Sequence, residues 1–322
     1  MEFVHLISKT LSKAYEKSSL WAKILLFIVL LLIVQQTING KGIKGREGME
    51  GNNNDGGGDK GLELKDGPDI YDEFYVNIYD LLVFSGSKDE YEVNQMVADT
   101  NMNEDSAILD VGCGTGHHVG LLCKMGIPTI GVDSSVAMVA KCLSTYPTCH
   151  FEVGDVRMDH TFSKSVFTHI LCLYFTLYYM QDKRKFFQNC FNWLKPSGIF
   201  VCHIVDRNTF DPILPPSNPL VMLTPQRYAK ERITNSSVTF EEFKYTANFD
   251  LQSQNNRAIF TEKFMNKQTG NVFRKQRHEM YMESEDDIVE IAKNVGFIVQ
   301  SKIDLIKAGY EYQYLYTFVK PQ

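Results

Sequence analysis

Three glycines spaced two apart, Gly112, Gly114 and Gly116, follow a short apolar run at 107–111 and precede a helical pattern at 117–125. A buried strand that enters a glycine loop and then a helix brings backbone close to a ligand. It also aims the unpaired N–H groups of the helix start at a carboxylate or phosphate. Asp110 stands just before the loop. Asp133 closes the second apolar run, in IGVDSS. An acid at that place accepts ribose hydroxyls, so the pair of features suits a nucleoside-bearing cofactor. Asp133 also reads as a cap for the next helix, but Ser134 and Ser135 are there to cap instead. A dinucleotide fingerprint puts its third glycine one position later, where this chain has His117.

The GxGxG spacing with Asp110 and Asp133 resembles the first motifs of class I S-adenosylmethionine-dependent methyltransferases. The similarity continues in order and spacing from Asp110 to Val205. It implies S-adenosyl-L-methionine as cofactor, held by Asp110, Gly112, Cys113, Gly114, Thr115, Gly116, Asp133 and Ser134. Asp155, in VGDVRMD, takes the place where the family sets an acid or amide against the adenine amino group. Val156 and Met138 then sandwich the base, with Leu173 and Tyr79 completing the pocket. The run FTHILCLYFTLYYM (167–180) resembles the fourth motif, which lines the transfer cleft; its usual early Asp is Thr168 or His169 here. The reaction implied is methyl transfer to an N or O nucleophile, on a small molecule, by in-line displacement.

Such a site needs a scaffold, and the pattern supplies one. Short apolar runs at 107–111, 129–132, 150–153, 167–173 and 199–205 alternate with helical stretches at 117–125, 136–143 and 183–193. Helices are also expected at 71–84, 90–100 and 285–294. This rhythm predicts an α/β, Rossmann-like fold: a mostly parallel seven-stranded sheet with helices on both faces. Between 207 and 284 the rhythm changes to alternating runs at 240–252, 256–266 and 271–282, read as an antiparallel insertion covering the cleft. Two final strands, 297–304 and 312–320, suit a hairpin at the sheet edge. The insertion resembles that of small-molecule N-methyltransferases.

Methyl transfer from an activated donor chiefly needs alignment, and a base only when the nucleophile arrives protonated. Three side chains are candidates for catalysis: Tyr174 just past the fourth strand, His203 near the end of the fifth, and His278 in the insertion. Each also reads as a packed residue. Tyr71, Tyr75 and Tyr79 recur every four residues, either as a packing stripe or as a lid whose ring faces attract a sulfonium.

The remainder bounds the setting. A net charge of −6 excludes a strongly basic domain, so no nucleic-acid partner is expected; the partner is a small-molecule acceptor. Seven cysteines without a CxxC pair read as reduced thiols, and no metal site is expected. Residues 20–38, opening LWAKILLFIVLLLIV, are long and apolar enough for one transmembrane helix, behind a tail at 1–19. A cleaved signal peptide is the competing reading. The Gly/Asn-rich stretch 39–67 is expected to be a flexible linker, so the methyltransferase domain is set at 68–322. Cytosolic donor and unpaired thiols favour a single-pass membrane protein with its catalytic domain in the cytosol. The alternative function is a catalytically inactive, membrane-tethered binding or scaffold protein of the same fold. The sequence leaves the acceptor and the oligomeric state open.

Overall fold

The computed structural model describes residues 62–212 and 229–322. The predicted tail, membrane anchor and most of the predicted linker lie outside the described residues. Among the described residues no helix is long and apolar enough to cross a membrane.

Glu63–Asp66, which fall within the stretch expected to be linker, form an edge strand, β1. A four-residue strand next to a Gly-rich stretch carries too little periodicity to be read from sequence. Helix α1 (Glu73–Val83) is shorter than expected, because Asp72 caps it by accepting from the Tyr75 N–H at 3.1 Å. Tyr71 therefore precedes the helix rather than lying on it. Helix α2 (Gly86–Thr100) starts four residues before the expected position. Its first two turns bury Lys88, Asp89 and Glu92, so hydrophobic periodicity does not reveal it.

Five strands run parallel: β2 (Ile108–Val111), β3 (Thr129–Asp133), β4 (His150–Val153), β5 (Phe167–Cys172) and β6 (Leu194–Val205). Between them lie α3 (His117–Lys124), α4 (Val136–Thr145) and α5 (Lys183–Trp193). The expected turn at KPSG is instead an irregularity within β6, where pairing with β5 shifts register between Phe167 and His169. After the insertion come α6 (Glu285–Val295), β11 (Ile298–Asp304) and β12 (Gln313–Val319). Strand β12 pairs antiparallel with β6 and carries β11 at the edge, giving the order β11-β12-β6-β5-β2-β3-β4. The expected mostly parallel seven-stranded sheet with an edge hairpin is thus present.

Both sheet faces are covered. Ile170, Cys172, Phe200, Cys202 and Ile204 pack under Phe186, Phe187 and Trp193 of α5 and Ile288 of α6. The intervening Leu171 and Val201 pack on the other face with Val93 and Met96 of α2 and Leu122 of α3. Burial on both sides accounts for continuous apolar strands rather than alternating ones. Strand order reverses at β2, with β3 on one side and β5 on the other. In open α/β sheets ligands bind beyond the strand ends at such a reversal.

The insertion is larger than the three expected runs. It contains β7 (Asn235–Thr239), β8 (Phe243–Gln252), β9 (Arg257–Asn266) and β10 (Val272–Tyr281), and β1 pairs parallel to β10. This second, five-stranded sheet packs Tyr245, Ala247 and Phe264 against Ile70, Tyr75 and Leu82. Helix α1 is thereby held between the insertion and the glycine loop.

Candidate functional site

A cavity of about 580 Å³ opens beyond the ends of β2, β3 and β5, with β8 to β10 and α1 as its other walls. That size suits a small cofactor with its co-substrate. One half is built from backbone and a few acids. Gly112 turns at φ 68°, and a Cβ there would meet Thr176 at 2.5 Å, so only glycine fits. The Gly112 and Cys113 N–H groups bond the Val132 carbonyl at 2.8 and 3.0 Å, tying the loop to β3. Asp133 accepts from Gly114 N at 3.0 Å and from Ser135 N at 2.9 Å. Ser135 is the helix cap, accepting from Met138 N at 3.1 Å. Asp133 is therefore not spent on capping α4, and it lines the cavity with Ser134 and the buried Met138. Burial raises its carboxyl despite those backbone hydrogen bonds.

Asp110 lies beneath the loop and is pushed up to about 7, mainly by burial, with Asp133, Asp89 and Glu92 adding to it against His118. Beside it, Lys88 Nζ bonds Glu92 at 2.7 Å and His118 Nε2 bonds Glu92 at 2.9 Å. Burial opposes the Glu92 charge, but Lys88 and His118 bring that carboxyl down to about 2. Among the described residues Asp89, Glu92 and His118 are the group nearest to metal-ligand geometry. Lys88 and His118 already satisfy the Glu92 carboxylate, so we read the group as an ion-pair cluster.

Val156 and Leu173 are buried and face the cavity, as do Cys113, Gly114 and Tyr79. Thr115 lines it too, but its hydroxyl donates to Asp80 at 2.7 Å and so fastens the loop to α1. Asp155 lines the cavity with its carboxylate gripped by Arg157 at 2.8 and 2.7 Å, which lowers it. Two expected site residues are not there. Gly116, at φ 85°, starts α3 away from the cavity, where a Cβ would meet Cys142 and Phe151 at 2.9 Å; its glycine serves packing. His203 is fully buried behind the wall, bonded through Nδ1 to the Tyr174 carbonyl at 2.6 Å. Burial, with Lys88 nearby, lowers it to about 4. It is a neutral core histidine that braces Tyr174, and Tyr174 itself, at φ 51°, does line the cavity.

The other half is aromatic and is shared by the insertion, the segment around α1 and the turn after β5. His278 faces the cavity with Tyr71, Tyr75, Tyr179 and Phe260, its ring centroid 5.5 to 6.1 Å from theirs. Behind it sits Glu262, 1% exposed. Its Oε1 accepts from Tyr75 at 2.9 Å and Tyr245 at 2.6 Å; its Oε2 accepts from Gln276 at 2.7 Å and His278 at 2.6 Å. Burial would raise this carboxyl, but His278 and the donated hydrogen bonds hold it below its ordinary value. Arg274 fixes the frame, bonding Gln276 at 2.5 Å and the α1 cap Asp72 at 2.8 Å. Glu262, Tyr179 and Lys88 were not singled out from sequence. One signal existed: Phe260, Glu262 and Phe264 share a strand face, which sets a carboxylate between two aromatics.

Residues 108–198 match the family model described as a methyltransferase domain. A dTDP-4-amino-2,3,4,6-tetradeoxy-D-glucose N,N-dimethyltransferase from Saccharopolyspora spinosa is 31% identical over 139 residues, 41% of this chain and 55% of that one. The phosphoethanolamine N-methyltransferase of Plasmodium falciparum is 28% identical over 116 residues, 32% of this chain and 41% of that one. The chain thus spans about half the length of these relatives. Among solved structures, the CcbJ methyltransferase of Streptomyces caelestis aligns at TM-score 0.59 and 13% identity, covering 79% of this chain and 98% of that one. An amino pentose methyltransferase from Micromonospora echinaspora, solved with SAM bound, aligns at TM-score 0.54 and 18% identity, covering 78% and 98%. These likenesses show the fold.

Proposed function

We propose, from the premise that residues 108–198 are a methyltransferase domain within a class I methyltransferase fold, that this chain is an S-adenosylmethionine-dependent N-methyltransferase of a small amine. The observation that carries this reading is one cavity joining the glycine loop and Asp133 to His278, which Glu262 backs. The residues fit the donor. The loop offers a side-chain-free approach at Gly112 and Gly114, Asp133 offers carboxylate oxygens to a ribose, and Met138 and Val156 offer apolar walls to a base. When bound, the donor supplies a methyl group on a sulfonium. Tyr71, Tyr79 and Tyr174 line the same cavity, and aromatic rings suit a cation there.

Relatives that methylate amino sugars and phosphoethanolamine support nitrogen as the nucleophile. The aromatic, carboxylate-backed half suits a positively charged amine better than a hydroxyl. The apolar run at 20–38 supports a single-pass anchor, with the domain on the cytosolic side.

Calorimetry with S-adenosylhomocysteine tests the donor site. The wild-type chain should bind it, and Asp133→Ala should weaken binding about ten- to a hundredfold, by loss of charge-assisted hydrogen bonds. A folded chain that does not bind it overturns the reading.

A further inference from the structure

The acceptor half holds more than an aromatic wall. The carboxylate of Glu262 is buried and has four donors, two on each oxygen. A carboxylate only accepts, so the His278 nitrogen facing it, Nε2, carries a proton. In a neutral ring this leaves Nδ1 as the acceptor, and Tyr179 Oη stands 2.8 Å from it. The phenol therefore donates to His278, accepts from the Tyr71 hydroxyl, and keeps its second oxygen lone pair for a ligand. Both Tyr179 and His278 line the cavity, whereas Glu262 lies behind them.

We infer that Tyr179, His278 and Glu262 form a proton relay that deprotonates a bound aliphatic ammonium before methyl transfer. The inference rests on the N-methyltransferase reading and deepens it. The ammonium N–H proton passes to Tyr179 Oη as the tyrosine's own proton passes to His278 Nδ1. The imidazolium so formed keeps its Nε2–H on the Glu262 carboxylate. The freed nitrogen lone pair then bonds to the methyl carbon as that carbon's bond to sulfur breaks, leaving a neutral thioether and an N-methyl ammonium. Tyr179 stays a phenol throughout, in keeping with burial that pushes its ionisation well above the ordinary range.

The titratable groups facing His278 are Glu262 on β9, Tyr179 after β5, and Tyr71 and Tyr75 at the start of the domain. Along β10, Arg277 and Glu279 pair with each other at 3.6 Å. Tyr179 and His278 are catalytic residues here, and Glu262 is a positioning residue.

The test combines imidazole nitrogen NMR of the chain with methylation rates from pH 6 to 9, using ethanolamine, phosphoethanolamine, glycine and glucosamine as probe amines. Wild type should show His278 as the Nε2–H tautomer at high pH, with or without S-adenosylhomocysteine. Glu262→Gln should release an Nδ1–H fraction, because an amide presents either an oxygen or an NH₂. Tyr179→Phe, which keeps the ring, should bind S-adenosylhomocysteine as wild type does. It should lose about 10²-fold in kcat at neutral pH and recover it as pH rises toward the probe amine's own ionisation. An Nδ1–H tautomer in wild type overturns the relay. So does a Tyr179→Phe rate equal to wild type, or reduced by one factor at every pH. Failure to methylate any probe amine by a chain that binds S-adenosylhomocysteine overturns it too. Absence of that binding is instead the failure of the donor-site reading.

Discussion

The two halves of the cavity are made by different means. In the donor half the ligand-facing groups are loop backbone and acids at strand ends, and the contacts among them join one loop to the neighbouring strand end: Gly114 to Asp133, Asp133 to Ser135. In the acceptor half the groups are side chains from distant segments. Tyr75 meets Glu262 across 187 positions, and Tyr179 meets His278 across 99. A loop that binds through backbone keeps its shape while side chains around it vary. A carboxylate with four side-chain donors depends on all of them. The glycine-loop half thus sits at the ends of the parallel strands, and the other half joins the attached sheet to α1 and to the segment after β5.

The sharpest way to break that contrast is through stability. Glu262→Ala leaves four buried donors without an acceptor. Loss of one partner from a buried charged network costs about 3–5 kcal/mol. Asp133→Ala removes a side chain whose donors are two loop N–H groups at the cavity, and should cost about 1 kcal/mol. Urea denaturation of both variants checks this. Equal losses would mean that the donor half is as dependent on side chains as the acceptor half.

The second test uses pH. Asp110 ionises near 7 in the folded chain, chiefly through burial, against an ordinary value of 3.8. Between those values the folded chain holds a proton that the unfolded chain has lost, so stability falls as pH rises through this window and levels above 7. From pH 5 to 8 this group should remove about 2–3 kcal/mol. Asp110→Asn should flatten that part of the profile and leave the variant relatively more stable at pH 8. A wild-type profile unchanged by Asp110→Asn would show that the loop leaves Asp110 ionised.

The same contrast governs what the sequence disclosed. Asp110, Gly112, Cys113, Gly114 and Asp133 were legible because a strand, a loop and a helix start repeat a local pattern, and all line the cavity. Gly116 belonged to the same pattern but serves packing against Phe151, which no spacing reveals. The parallel strands were legible from apolar runs. Strand β1 was not, because four residues on an exposed edge bury almost nothing. Helix α2 was misplaced because its first two turns bury charges paired with one another. Glu262 was missed since its role is set by partners on three other segments. His278 was proposed with only general grounds, and its partner Glu262 lay sixteen positions away on the neighbouring strand.

The smallest effect concerns His203, chosen from sequence for its place near the end of a central strand. Position alone did not decide its role, because successive strand residues face opposite ways and both faces of this sheet are covered. Its ring is fully buried, outside the cavity, and bonded at Nδ1 to the Tyr174 carbonyl. His203→Gln retains an N–H donor for that carbonyl and a side chain of similar reach. It should cost about 1 kcal/mol in stability and leave kcat within about twofold of wild type, well short of the 10²-fold expected of a general base. Parallel kinetics of His203→Gln and His278→Gln make the comparison direct. A large kcat loss confined to His278 places proton transfer in the inserted sheet, whereas a loss confined to His203 would return it to the parallel one.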